Sequence, residues 1–409
     1  MMTNLLDEPF ISSHPRRQEL WQQFKEIPDP VAKDQAWRFA TTRKYRIGDL
    51  TSTGDLSEDK LCELATRSEI LADFSGHAVL AGNQIAGSLS LDDEAASLGV
   101  MLKSLGETLG VASSETLGGG KFQALNGALS KNGILLTVPD HVELKQPVVI
   151  VHWTGDGGSF PQVHVETGVH SKLQLVELYF SMGSEAGFNI ASTRVRAGSG
   201  SHVSRIVVRN WNTHTTAVHL EHLIVQRDAY LQSTNLNISG GTIRQETVLS
   251  AEGQGADARL NSLSIAGEGQ EFDQRTLQSH EASGSRSDLL FKNALLAGGR
   301  TIFSGLIKVA PEAQHTDAYQ TNRNLLLDPS AEANSLPGLE ILANDVKCSH
   351  GATSGQIDDD QLFYMRSRGI NDKLARQLLV FGFFEEVIEK IQLPTLESLT
   401  REWIEARFQ

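Results

Sequence analysis

Apolar positions along the chain recur with two different periods, and the change of period divides it into three zones. In "RRQELWQQFKEI" (Arg16 to Ile27), Leu20, Phe24 and Ile27 fall at helical spacing and predict a helix with one apolar face. "GHAVLAGNQIAGSLSL" (Gly76 to Leu91) reads as short strands with glycine turns, and "EAASLGVMLKSLGETLG" (94–110) as a further helix. From about residue 116 to 350 the period shortens to two, the signature of strands. Beyond residue 351 the helical period returns. Asn371 is placed to cap a helix beginning "DKLARQLL", and Phe384, Val387, Ile388 and Ile391 share one face of it. Pro394 closes that stretch, and "TLESLTREWIEARF" forms another helix. The expected organisation is a mostly helical N-terminal domain (1–115), a strand-rich core (116–350) and a C-terminal helical domain (351–409). The apolar faces of the last zone must pack on the end of the core or on a partner protein.

The strand-rich zone contains a repeat. "GSGSHVSRIVV" (198–208), "DAYLQSTNLNI" (228–238), "GADARLNSLSI" (255–265) and "EASGSRSDLLF" (281–291) each open with turn-forming residues. Each ends on an alternating apolar pair: Ile206/Val208, Leu236/Ile238, Leu263/Ile265 and Leu289/Phe291. Copies offset by roughly 26–30 residues, with no helix between them, point to a β-helix of stacked coils. A β-sandwich with coincident spacing stays open on this evidence, because apolar pairs recur in any all-β chain.

Composition narrows the function classes. At 409 residues the chain has room for a large core. A formal net charge of -14 makes it a poor ligand for a phosphate backbone, so nucleic acid is not an expected partner. Cys62 and Cys348 are its two cysteines, far apart in sequence. That argues against a disulfide scaffold and fits a reducing compartment. The opening "MMTNLLDEPFISSHPRRQ" has early acids and no apolar segment, unlike a signal peptide, and no run reaches the length of a membrane span. The expected address is the cytoplasm, with no membrane partner.

Chemistry concentrates in "DVKCSHGAT" (Asp345 to Thr353), where a thiol and an imidazole lie two residues apart. If "LEILANDVKCSH" is a strand and its exit, Cys348 and His350 project from one side and Gly351 releases the chain. Both side chains suit iron or zinc, but a stable site takes about four ligands and this stretch supplies two. A buried cysteine acting as a small hydrophobe beside a satisfied histidine is the other reading, and spacing alone leaves both open. "HLEH" (His219 to His222) sets its histidines on opposite faces of a strand, so it reads as structural. "LGGGKF" (Leu117 to Phe122) lacks the spacing and the Ser/Thr of a phosphate loop. No G-x-S-x-G occurs. Glu385 and Glu386 read as solvated helix charges. Asp273, Arg275 and Lys292 could line the groove of a β-helix enzyme acting on polysaccharide, a second function class.

Longer stretches carry a resemblance. "AQHTDAYQTNRNLLL" (Ala313 to Leu327), "PGLEILANDVKCSHGATSGQID" and "LFYMRSRGI…ARQLLVFGFFEEVI" resemble the SufB/SufD family of iron–sulfur cluster assembly scaffolds, on the side of the SufD branch. "FQALNGALSKNGILLTVP" (Phe122 to Pro139) and "PDPVAKDQAWRFATT" (Pro28 to Thr42) are similar to the family's core entry and N-terminal segment. The motifs are most specific over about residues 300–390, and Asn344 stands where the family often has an acid. The resemblance implies a right-handed parallel β-helix core between helical terminal domains. It implies a non-catalytic scaffold paired with a SufB-like paralogue and with a SufC-type ABC ATPase, which docks on the C-terminal helices. Self-association of the isolated chain, and a homodimer standing in for the paralogue pair, are the other assemblies to consider. It also implies that Cys348 and His350 are half of a site for a nascent Fe–S cluster, with the remaining ligands coming from the partner.

Overall fold

The computed structural model describes residues 14–47, 56–71, 73–105 and 115–408. The opening segment read for a signal peptide therefore lies outside the described residues up to position 13. Helices are α1 (Pro15–Glu26), α2 (Glu58–Arg67), α3 (Asp93–Ser97), α4 (Gly120–Leu129), α5 (Asp359–Ser367), α6 (Asp372–Ile388) and α7 (Pro394–Ala406). Between α4 and α5 the chain winds as a parallel β-solenoid of about eight turns.

Successive long strands alternate between two sheets. The first sheet runs from Gly76–Ala81 through Val148–Thr154, Lys172–Ser181, His202–Asn210, Tyr230–Ser239, Asp257–Ala266, Arg286–Leu295 and Asp317–Leu326 to Lys347–Gln356. The second runs from Gly133–Val138 through Gln162–Thr167, Gly187–Ala197, Thr216–Val225, Thr242–Ala251, Glu271–His280 and Arg300–Val309 to Glu332–Ile341. Each of these strands pairs in parallel with the next one named in its sheet. A sandwich, built from antiparallel sheets, does not fit, and the parallel β-helix does. At one corner, left-handed residues such as His170, Gly200, Asp228 and His315 turn the chain at each rung. Their N–H groups donate to the next rung, Gly200 to Arg227 and Asp228 to Gln254, so the corner stacks in register with the strands. Gly200 has φ 66° and faces the His170 ring, which leaves no room for a side chain.

The register corrects one detail of the repeat. Leu236 pairs with Leu263 as aligned, but Leu263 pairs with Lys292, and Leu289 pairs with Leu260. Ile206, Val208, Leu236, Ile238, Leu263 and Ile265 all face outward beneath α6 and α7. Leu289 and Phe291 face the lumen instead. The slip is three residues, an odd number that exchanges the two faces of a strand, and Leu289, Leu290 and Phe291 put apolar side chains on both faces, so composition could not reveal it. The expected helix over 94–110 is also corrected. It ends at Ser97, Gly99 follows in the left-handed region (φ 80°), and Met101–Ser104 pairs antiparallel with Ile134–Thr137. Cross-strand pairing overrides the helical pattern there, and residues 106–110 lie outside the described residues.

The helices α1 and α4, and α6 and α7, pack on the flanks of the solenoid, while Gly76–Ala81, α3 and Met101–Ser104 build up its first end. α1 and α4 cover the second sheet, with Leu20, Phe24, Phe122 and Leu125 against Ile190, Val218 and Leu220. α6 and α7 cover the first sheet. Asn371 caps α6 by accepting from the Leu374 N–H, and Phe384, Val387, Ile388 and Ile391 are fully buried. Burying each of these side chains contributes roughly 1.5–3 kcal/mol, and the arrangement leaves the last rung of the solenoid uncovered. No helix among the described residues is long and apolar enough to cross a membrane.

Candidate functional site at the open end of the solenoid

The last strands, Lys347–Gln356 and Glu332–Ile341, each have a neighbour on one side only. Each therefore presents an unpaired row of backbone donors and acceptors, an arrangement that invites pairing with another chain. Leu339, Ile341 and Leu342 are exposed beside this edge, with Leu342 56% exposed.

Cys348 and His350 sit near the start of the last strand of the first sheet. Cys348 is the ladder partner of Ala318 and His350 of Gln320. Both face the lumen, because their columns continue downward into buried inner residues: Ser287 and Ala258 under Cys348, Leu289 and Leu260 under His350. The expectation of a shared face agrees with this geometry. The expected exit at Gly351 does not, since the strand continues to Gln356 and Gly351 lies within it. The strand begins where it does because the His315 ring meets Asp345 at 2.9 Å and the Lys347 N–H donates to Thr316, tying the preceding turn to the rung below.

Cys348 is half-buried and packs with Ile307, Val309, Ala313 and Ala318, whereas His350 is exposed. Burial pushes the Cys348 thiol above its ordinary pKa, a backbone hydrogen bond with Ala318 opposes this, and Asp317 adds to it. The sulfur is thus held as a thiol near neutral pH, and an arriving cation would favour the thiolate. A thiolate and an imidazole are both suited to iron. No group of three or more histidine, cysteine or acidic side chains placed to hold a metal occurs among the described residues.

Other candidate residues take structural places. His219 points into the lumen and accepts from Arg209 Nε at 3.0 Å, while His222 faces outward and meets Ser250. Asp273 is fully buried between Arg244 and Arg275, with Arg275 Nε at 2.6 Å, and Lys292 is buried against Glu386 at 2.6 Å. These three residues line no open groove, which removes the basis for the polysaccharide reading. Leu117 and Gly119 of "LGGGKF" donate backbone N–H groups to Glu246.

Two features escaped the sequence. The mid-lumen holds a charged cluster: Arg205 Nε lies 2.6 Å from Glu177, and Glu221 receives Arg205 at 3.0 Å and Arg209 at 2.8 Å. The second feature lies directly beneath the last rung, where Gln320, Asn322 and Asn324 turn three amides inward. Asn322 accepts from Asn324 at 3.0 Å and from Ser335 at 2.7 Å. The signal was present in "QTNRN", where amides alternate with period two in a predicted strand.

The comparisons with known proteins converge on one family. Residues 150–383 match the model described as "SUF system FeS cluster assembly, SufBD core domain". The iron-sulfur cluster assembly protein SufD of Escherichia coli is 34% identical over 229 residues, 56% of this chain and 54% of that protein. A SufBD family protein of Mycobacterium tuberculosis is 31% identical over 289 residues, 68% of this chain and 71% of that one. SufD of Bacillus subtilis is 28% identical over 400 residues, 92% and 90% of the two chains.

Proposed function

The chain belongs to the SufB/SufD family of the SUF iron–sulfur cluster assembly system, on its SufD branch, and from that premise we propose that it is a non-catalytic scaffold subunit. It pairs through the open end of its solenoid with a SufB-like paralogue in the cytoplasm. It contributes His350, and secondarily Cys348, to a site where a nascent cluster is held as cargo at the interface. The observation that carries this reading is the uncovered last rung, where two unpaired strand edges meet an inward-facing thiol and imidazole. The half ligand set calls for completion from a second chain, and the bare edges provide the means to dock one. The same edges give the isolated chain a means of self-association.

A SufC-type ABC ATPase docks on the C-terminal helices. Phe363 and Tyr364 on α5 are 74% and 59% exposed, and Leu374 and Leu378 stand one turn apart on the outer side of α6. Large apolar side chains left outward on helices whose other face is buried suit a partner surface.

The test is iron and acid-labile sulfide on the anaerobically isolated complex, co-expressed with its SufB- and SufC-like partners, as wild type and as His350→Ala. Loss of both elements from an assembled variant complex is expected. Equal iron in both complexes would place the cluster on the partner and reduce this chain to an architectural clamp.

A further inference from the structure

Gln320 lies one rung beneath His350 in the same inner column. The two rungs below it are apolar, Leu289 and then Leu260, and separate it from Ser233 and Arg205 deeper in the column. Gln320 is 1% exposed, yet neither its oxygen nor its nitrogen meets a hydrogen-bond partner among the described residues. Gly305, across the lumen, makes room for the amide: a β-carbon there would overlap the Gln320 nitrogen. Above Gly305 the last rung holds Pro337, which has no N–H to offer.

A buried polar group without a partner costs about 1–3 kcal/mol. A leucine at position 320 would simply extend the apolar column. The amide therefore awaits a partner, and its nearest polar neighbour in the column is the His350 ring. Side chains on adjacent strands at one ladder position stand about 4.8 Å apart at the backbone, within reach of a hydrogen bond. A histidine that binds a metal is ordinarily fixed by a bond from its other ring nitrogen.

Resting on the half-site reading above, we propose that Gln320 is a positioning residue for His350. When a second chain covers the open end, the His350 ring N–H donates to the Gln320 carboxamide oxygen. This fixes one tautomer and directs the free nitrogen out of the lumen.

The test reads the ring itself, without a cluster. The chain is prepared with ring-15N histidine and assembled with its unlabelled SufB-like partner, and His350→Ala identifies the signals of interest. His350 in the wild-type complex is expected to show a single tautomer. Gln320→Leu should return it to a mixture of tautomers, and Gln320→Glu, which keeps an acceptor, should restore the single form. On anaerobic iron loading, Gln320→Leu should lower iron affinity about 10-fold or more, with thermal unfolding no lower than wild type. Identical His350 ring shifts in wild type and Gln320→Leu would overturn the proposal. So would a Gln320→Leu chain that is less stable but unchanged in tautomer, since that marks a packing role. A His350→Ala complex that keeps its cluster would end the half-site reading alone. A cluster lost from His350→Ala beside an unmoved tautomer would end the role of Gln320 alone.

Discussion

Replacing Glu221 with glutamine perturbs the charge balance of the lumen without changing its volume. Glu221 is 3% exposed and accepts from Arg205 at 3.0 Å, Arg209 at 2.8 Å, Gln245 at 3.1 Å and Thr247 at 2.7 Å. Glutamine keeps one acceptor oxygen and turns an NH2 toward groups that themselves donate. Arg205 and Arg209, both fully buried, are left with Glu177 as the one remaining carboxylate in the cluster. Breaking a buried ion pair by removing one partner costs about 3–5 kcal/mol, because the other charge stays buried. With a urea slope of about 3 kcal/mol/M, the unfolding midpoint near neutral pH falls by about 1 M or more. The assay is equilibrium urea unfolding followed by far-UV circular dichroism, with an unchanged slope showing that the same transition is observed. Adding Arg209→Met to Glu221→Met should cost less than the sum of the two single changes, by about 1–3 kcal/mol. A Glu221→Gln midpoint within about 0.2 M of wild type would refute the reasoning, since the arginines would then be compensated by something other than Glu221.

Acid should weaken the solenoid through histidines held neutral. Burial, then Arg205, lowers His152 to about 3, and burial lowers His280 to about 4. Both folded values lie below the unfolded value of about 6.5, so the unfolded chain binds more protons in between. Stability is intact above about 6.5 and falls toward the folded values, by about 2 kcal/mol per histidine at pH 5. Urea midpoints at pH 5 and pH 7.5 check this, and His152→Phe, which preserves the stack on Tyr179, should remove about 2 kcal/mol of the loss, the share of that one histidine. Gly305→Ala should lower stability by about 1–3 kcal/mol through its overlap with the Gln320 amide. Adding Gln320→Ala should restore most of it, and thermal unfolding that shows no rescue would contradict that contact. Phe363→Asp with Leu378→Asp should leave the isolated chain within about 0.5 kcal/mol of wild type. Co-purification of the SufC-like ATPase should nevertheless fall at least about 10-fold, and undiminished capture would move the docking surface elsewhere.

Much of the architecture was legible because strand alternation is a local property. The period of two placed Cys348 and His350 on one face and separated His219 from His222, and the solenoid keeps both relations. The cap at Asn371 and the apolar face of α6 were equally plain, since both rest on neighbours within a few residues. The register of the fourth repeat was not, because Leu289, Leu290 and Phe291 are all apolar and both faces of that strand are covered. The strand at Met101–Ser104 was hidden for a related reason: its partner is supplied by residues some thirty positions further on.

The sequence by itself determined the repeating strands, the helical ends, the shared face of Cys348 and His350 and, through its long C-terminal motifs, the family. Only the tertiary structure decided what the lumen contains and which end is open. Arg205, Arg209, Glu177 and Glu221 read along the chain as ordinary surface charges. Coiling turns them inward, where they compensate one another out of water. The rung beneath His350 follows the same logic. An amide at position 320 is unremarkable in a strand until stacking buries it, and then its missing partner becomes a physical cost that the assembled complex can relieve.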